Sequence, residues 1–79
     1  MSTIQGKILN TTSNNYNVHV YDLFGGGYSE VANYSLAKGE SGTFSANADF
    51  DGHARVAYKV DGGPSLSNID IVNGDVIEI

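Results

Sequence analysis

Apolar and polar residues alternate with a period of two along nearly the whole chain, and clusters of turn-forming residues break the alternation about every 8–12 residues. A period of two sends successive side chains to opposite faces, so each run is a strand with one face to bury. The first run sets Ile4, Gly6 and Ile8 against Gln5 and Lys7. Residues 10–15 (NTTSNN) then turn the chain. The second run puts Tyr16, Val18 and Val20 inward and Asn17, His19 and Tyr21 outward, and residues 24–28 (FGGGY) end it. A weaker third run spans residues 29–36, where either Val31 or the set Ala32, Tyr34 and Leu36 faces in; this mixed pattern marks an edge strand.

After the turn at residues 38–41, Phe44, Ala46 and Ala48 define the inner face of a fourth strand, and residues 47–52 (NADFDG) turn the chain again. The fifth run is the clearest, with Ala54, Val56, Tyr58 and Val60 inward and His53, Arg55 and Lys59 outward. Asp61-Gly62-Gly63-Pro64 stops it. A sixth strand over residues 65–72 carries Ile69 and Ile71, and Asn73-Gly74, the strongest two-residue hairpin signal in the chain, leads to a seventh over residues 75–79. No window repeats apolar residues at helical spacing. The expectation is a single all-β domain over residues 1–79. It is a small antiparallel β-sandwich, Greek-key-like, or a barrel, of about seven short strands. Its expected core is Ile4, Ile8, Val18, Val20, Phe44, Val56, Tyr58, Val60, Ile69, Ile71 and Ile77.

A chain of 79 residues buries only about 60% of its unfolded surface, and without cysteine it has no disulfide staple and no thiolate chemistry. Small unstapled β domains gain stability by association, so a homo-oligomer is expected. Nine acidic residues oppose four basic ones, for a net charge of −5. Lys7, Lys38, Arg55 and Lys59 are too few and too scattered to follow a phosphate backbone, which argues against nucleic acid and anionic membranes. No apolar run approaches the roughly 18 residues of a membrane span. The opening MSTIQGKIL has neither the basic start nor the apolar core of a signal peptide, and the compartment is left open.

If every turn reverses the chain, alternate turns share an end of the fold. The turns at 24–28, 49–53 and 73–74 then gather Asp22, Phe24, Tyr28, Asp49, Phe50, Asp51, His53 and Asp75 at one acidic, aromatic and glycine-rich end. Phe24 and Tyr28 flank three glycines, Phe50 stands at a turn tip, and Tyr21 lies on an outward face beside Asn17 and His19. These four aromatics are the candidate ligand-binding residues, because aromatic rings at exposed positions stack on a sugar or a protein partner.

Residues 47–52 spell N-x-D-x-D-G. This resembles the first half of an EF-hand-type calcium loop, with oxygen ligands at positions 1, 3 and 5 and glycine at 6. Position 12 is Tyr58 in place of a bidentate glutamate, and no helices flank the segment. The resemblance implies calcium on Asn47, Asp49 and Asp51, with Asp75 as an added ligand from the same end. The same residues also read as an Asp-Gly turn. His19 and His53 are the only histidines, and no motif pairs either with a nucleophile or a second ligand. The chain is therefore read as a non-enzymatic interaction module, self-associating and contacting a protein or carbohydrate through that end, with a calcium-stabilised domain as the alternative.

Overall fold

The computed structural model describes residues 2–79. Seven strands form: β1 (Ser2–Leu9), β2 (Tyr16–Asp22), β3 (Ser29–Leu36), β4 (Ser41–Ala48), β5 (Ala54–Val60), β6 (Ser65–Ile71) and β7 (Val76–Glu78), with a short 3-10 turn at Phe24–Gly26. They make a three-stranded sheet ordered β4-β1-β7 and a four-stranded sheet ordered β3-β2-β5-β6. The two sheets pack as a small β-sandwich. Two connections, β2–β3 and β5–β6, are hairpins within a sheet; the others cross from one sheet to the other.

The core follows from the alternation. Ile8, Val18, Val20 and Val56 are fully buried, and Ile4, Phe44, Tyr58, Val60, Ile71 and Ile77 join them. A slip of one residue in any of these strands would turn its apolar set to water, so the pattern also sets the register. Ile69 is only partly buried against this cluster, while Leu36 and Ile79 lie within it. On β3, Leu36 is buried and Ala32 and Tyr34 pack partly on the core, whereas Val31 is exposed. The third strand is indeed an edge. Gly6 on β1 is a packing requirement: a Cβ there would lie 2.6 Å from Phe44 Cζ.

The Asn73-Gly74 hairpin expectation is corrected. The turn forms, with the Asp75 N–H donating to the Val72 carbonyl at 3.1 Å and Gly74 at φ 91°. It is a corner between sheets, and β7 pairs in parallel with β1. The cause is that the corner docks on Gln5. The Gly74 N–H donates to the Gln5 carbonyl at 2.8 Å, and the Gln5 N–H donates to Asn73 Oδ1 at 2.9 Å. Those two bonds hold the incoming chain against β1 and away from β6.

Two buried polar side chains tie the ends of the sandwich. At one end, Asn10 is wholly buried. Its Nδ2 donates to the Asn14 and Leu36 carbonyls at 2.7 and 2.9 Å, and its Oδ1 accepts from Thr12 N–H and Oγ1 at 2.9 and 2.6 Å. At the other end, Asp22 Oδ1 accepts from the Phe24 N–H, and Oδ2 accepts from both the backbone and side-chain nitrogens of Asn47 across the sandwich. Buried polar atoms need such partners, and these link loops that are far apart in the chain.

Candidate functional site

The turn at 49–53 is held by its own backbone. Asp49 Oδ1 accepts from the N–H groups of Asp51 at 2.9 Å and His53 at 3.0 Å. These bonds, His53's foremost, hold the Asp49 carboxyl below the ordinary carboxylate value. Asn47 gives its side-chain amide to Asp22, 2.9 Å away. Asp75 Oδ2 accepts from the Val72 N–H at 2.9 Å, and its residue lies beside Lys7, whose N–H donates to the Asp75 carbonyl. Asn47 pairs with Thr3 at the other end of β1. Four residues of strand separate them, about 13 Å. The fold thus brings Asp49 and Asp51 to one turn, leaves Asn47 on β4 with its amide given to Asp22, and sets Asp75 apart. Among the described residues, no three His, Cys, Asp or Glu side chains converge as a metal site.

The four candidate aromatics divide likewise. Phe50 projects fully into water from the tip of the 49–53 turn, and Phe24 is about half exposed on the 3-10 turn. Tyr21 and Tyr28 meet: their ring centroids are 6.1 Å apart at 69°, edge to face, and the His19 ring lies near-parallel to Tyr21 at 6.5 Å. The meeting place is the outer face of the four-stranded sheet. Tyr21 is outward on β2, as its alternation requires, and the glycine loop folds Tyr28 back against it. Gly25 and Gly26, at φ 80° and 89°, make that fold-back accessible to the backbone.

Beside the two rings lies Ala57, opposite Tyr21 in the β2–β5 ladder and 3% exposed although it belongs to the outer row of β5. Tyr21, Tyr28, Ala57, Lys59, Leu66 and Ser67 border a hollow of about 430 Å³. Tyr28 is shared with a second hollow of about 300 Å³, bordered by Gly26, Gly27, Arg55 and Asn68. Arg55 is shared with a third of about 240 Å³, which reaches Phe24, Asp49 and His53. The three lie one after another along β5, between the 24–28 loop and β6, as a segmented groove.

Charge along the groove is balanced locally. Arg55 Nε and a terminal nitrogen meet the two Asp70 oxygens at 3.0 and 3.4 Å, which keeps the guanidinium firmly protonated. Next to the aromatic pair, His19 Nδ1 lies 3.4 Å from Glu30 Oε2 and Nε2 lies 3.3 Å from Asp61 Oδ2. The Asn17 amide, and then His19, hold Asp61 below the ordinary carboxylate value.

Sequence reasoning reached Tyr21 and Tyr28 and assigned Tyr28 to the loop-rich end. It missed Ala57, Leu66 and the Arg55–Asp70 pair. One signal was present: a small apolar residue stands at an outward position between Arg55 and Lys59, where an exposed strand usually carries a large polar side chain. Comparison with protein-family models, with curated proteins and with solved structures finds no match in any of the three, so the functional reading rests on the geometry of the chain itself.

Proposed function

We propose that this chain is a non-catalytic binding module that receives its partner on the outer face of the four-stranded sheet, over Tyr21 and Tyr28. The observation that carries this reading is the edge-to-face tyrosine pair bordering one hollow with a buried alanine, with Tyr28 66% exposed. Such rings present a large apolar area at little entropic cost, together with hydroxyls for orientation. A non-catalytic role is supported by His19, whose ring nitrogens lie within 3.4 Å of the Glu30 and Asp61 carboxylates and not beside a hydroxyl nucleophile. The test is amide chemical-shift mapping against a fragment library. Responses clustered at residues 21, 28, 57 and 66 support the reading, and responses confined to residues 49–53 or scattered over the surface refute it.

Self-association is a second reading, favoured by the corner between β6 and β7. Val72 and Val76 there are 40% and 50% exposed, and β7 is the outer strand of its sheet. Unpaired edges with apolar side chains invite a second copy. Light scattering at high concentration tests it: a dimer that Val76→Lys converts to monomer supports the reading, and a monomer at all concentrations removes it.

A further inference from the structure

We propose that the groove along β5 binds a linear, uncharged oligosaccharide laid lengthwise across its three hollows. The inference rests on the binding-module reading above and names the class of ligand for that same face.

Three observations carry it. The first is succession and length. The hollows follow one another along β5, Tyr28 bordering the first two and Arg55 the last two, so a ligand that spans them passes beside the Tyr28 ring and over the Arg55–Asp70 pair. From Lys59 on β5 to His53 just before it the floor runs six residue steps, about 20 Å. A single small ring would fill only one hollow.

The second is lining chemistry. Tyr21 and Tyr28 border the first hollow, Tyr28 the second and Phe24 the third, so each has an aromatic ring in its wall. Ser65 and Ser67, the Lys59 ammonium and the Asn68 amide supply donors and acceptors around them. A pyranose ring matches this mixture. Its C–H face carries slight positive charge against the negative face of an aromatic ring, and its hydroxyls point outward to polar side chains. The glycine wall leaves open space, since a Cβ at Gly25, Gly26 or Gly27 would meet nothing within 4 Å.

The third is what the groove disfavours. Arg55 is paired with Asp70, His19 lies between two carboxylates, and the chain carries −5 overall, so the Lys59 ammonium alone is too little to hold a polyanion. A peptide strand adding to the sheet needs a regular open edge. The groove lies on the face, and the neighbouring edge strand β6 is bulged at Asn68, φ 61°, where the β5–β6 register shifts.

The test is titration of the whole chain, followed by amide shifts, with cellotetraose, laminaritetraose, mannotetraose and chitotetraose and their one- to three-ring homologues. Tetragalacturonate and a hexapeptide library serve as the charged and peptide arms. Expected are shifts running from Lys59 to His53 with at least one neutral series, and affinity rising with each added ring. Tyr28→Ala lowers tetramer affinity at least tenfold and Tyr28→Phe largely restores it, while Phe24→Ala weakens the tetramer and spares the dimer. Tyr28 and Phe24 are exposed enough that both variants keep the native amide spectrum, which is the folding control. Affinity independent of ring number, or indifference to Tyr28→Ala, overturns the inference. Groove shifts with peptides or tetragalacturonate and with no neutral sugar overturn the ligand class and leave the binding face standing. No groove response to any probe overturns both.

Discussion

Replacing Asn10 by alanine removes the side chain that holds one end of the sandwich together. Four hydrogen bonds disappear, two given by Nδ2 and two received by Oδ1. The Leu36 carbonyl is in the most costly position, because its bond to Asn10 is buried and water cannot replace the donor. A stranded buried group costs about 1–3 kcal/mol. The Asn14 carbonyl and the two Thr12 groups lie nearer solvent and recover partners, adding about 0.5 kcal/mol each at the low end of net hydrogen-bond values. The expected loss is about 3 kcal/mol. A chain of this length has roughly 4–12 kcal/mol of stability in all. At about 4–8 °C per kcal/mol for a small domain, the melting midpoint should fall by about 12–24 °C. Calorimetry reads this directly, and Thr12→Val is the internal comparison. It removes the 2.6 Å bond from Thr12 Oγ1 to Asn10 Oδ1 and two exposed 3.3 Å bonds with the Asn14 backbone, which water replaces, and should cost about 1 kcal/mol. A fall of less than about 5 °C for Asn10→Ala, or one equal to that of Thr12→Val, would refute the claim that Asn10 organises this end.

Three further outcomes are expected. Gly6→Ala forces a methyl group against the Phe44 ring and should destabilise by about 1–3 kcal/mol in urea unfolding, with an unchanged value meaning that Phe44 moves aside freely. Burial pushes the Tyr34 hydroxyl up to about 12, against roughly 10 in the unfolded chain, so the unfolded state loses this proton first. Tyr34's contribution is therefore intact below pH 10 and declines as pH rises from 10 to 12. Tyr34→Phe should flatten the alkaline fall of the melting midpoint, and an identical profile in the variant would count against this assignment. Calcium should leave the midpoint where chelator leaves it, because Asn47 serves Asp22 and Asp49 caps its own turn; a rise with calcium concentration would restore the loop's metal reading.

Much of the fold was legible because strand burial is a local property. Val18 and Val20, or Val56 and Val60, lie two or four residues apart on a pleated strand, so their common face follows from spacing alone. The inner face of β4 could be read the same way from Phe44, Ala46 and Ala48. The mixed pattern of residues 29–36 also identified an edge, since a strand flanked on one side only need not bury a clean set of side chains. Asn73-Gly74 was legible as a turn and illegible as a corner. Its φ is a local matter, whereas the strand that follows it is chosen by Gln5, 68 residues away.

The candidate site divides along the same line. That Tyr21 faces outward beside His19 is a statement about β2 alone. That Tyr28 returns to meet it depends on how a glycine loop closes over the sheet, and glycine leaves that path open. Asn10 and Asp22 continue the inward alternation of β1 and β2, yet as polar residues at strand ends they look like turn formers; the partners that satisfy them, Leu36 and Asn47, come from elsewhere in the chain, which no window around either residue can contain. Alternation determined the seven strands and most of the residues they bury, because a period of two is written in neighbouring positions. Tertiary structure decided the parallel docking of β7, the two polar ties and the groove along β5, because each joins residues whose proximity exists only after the sheets have closed.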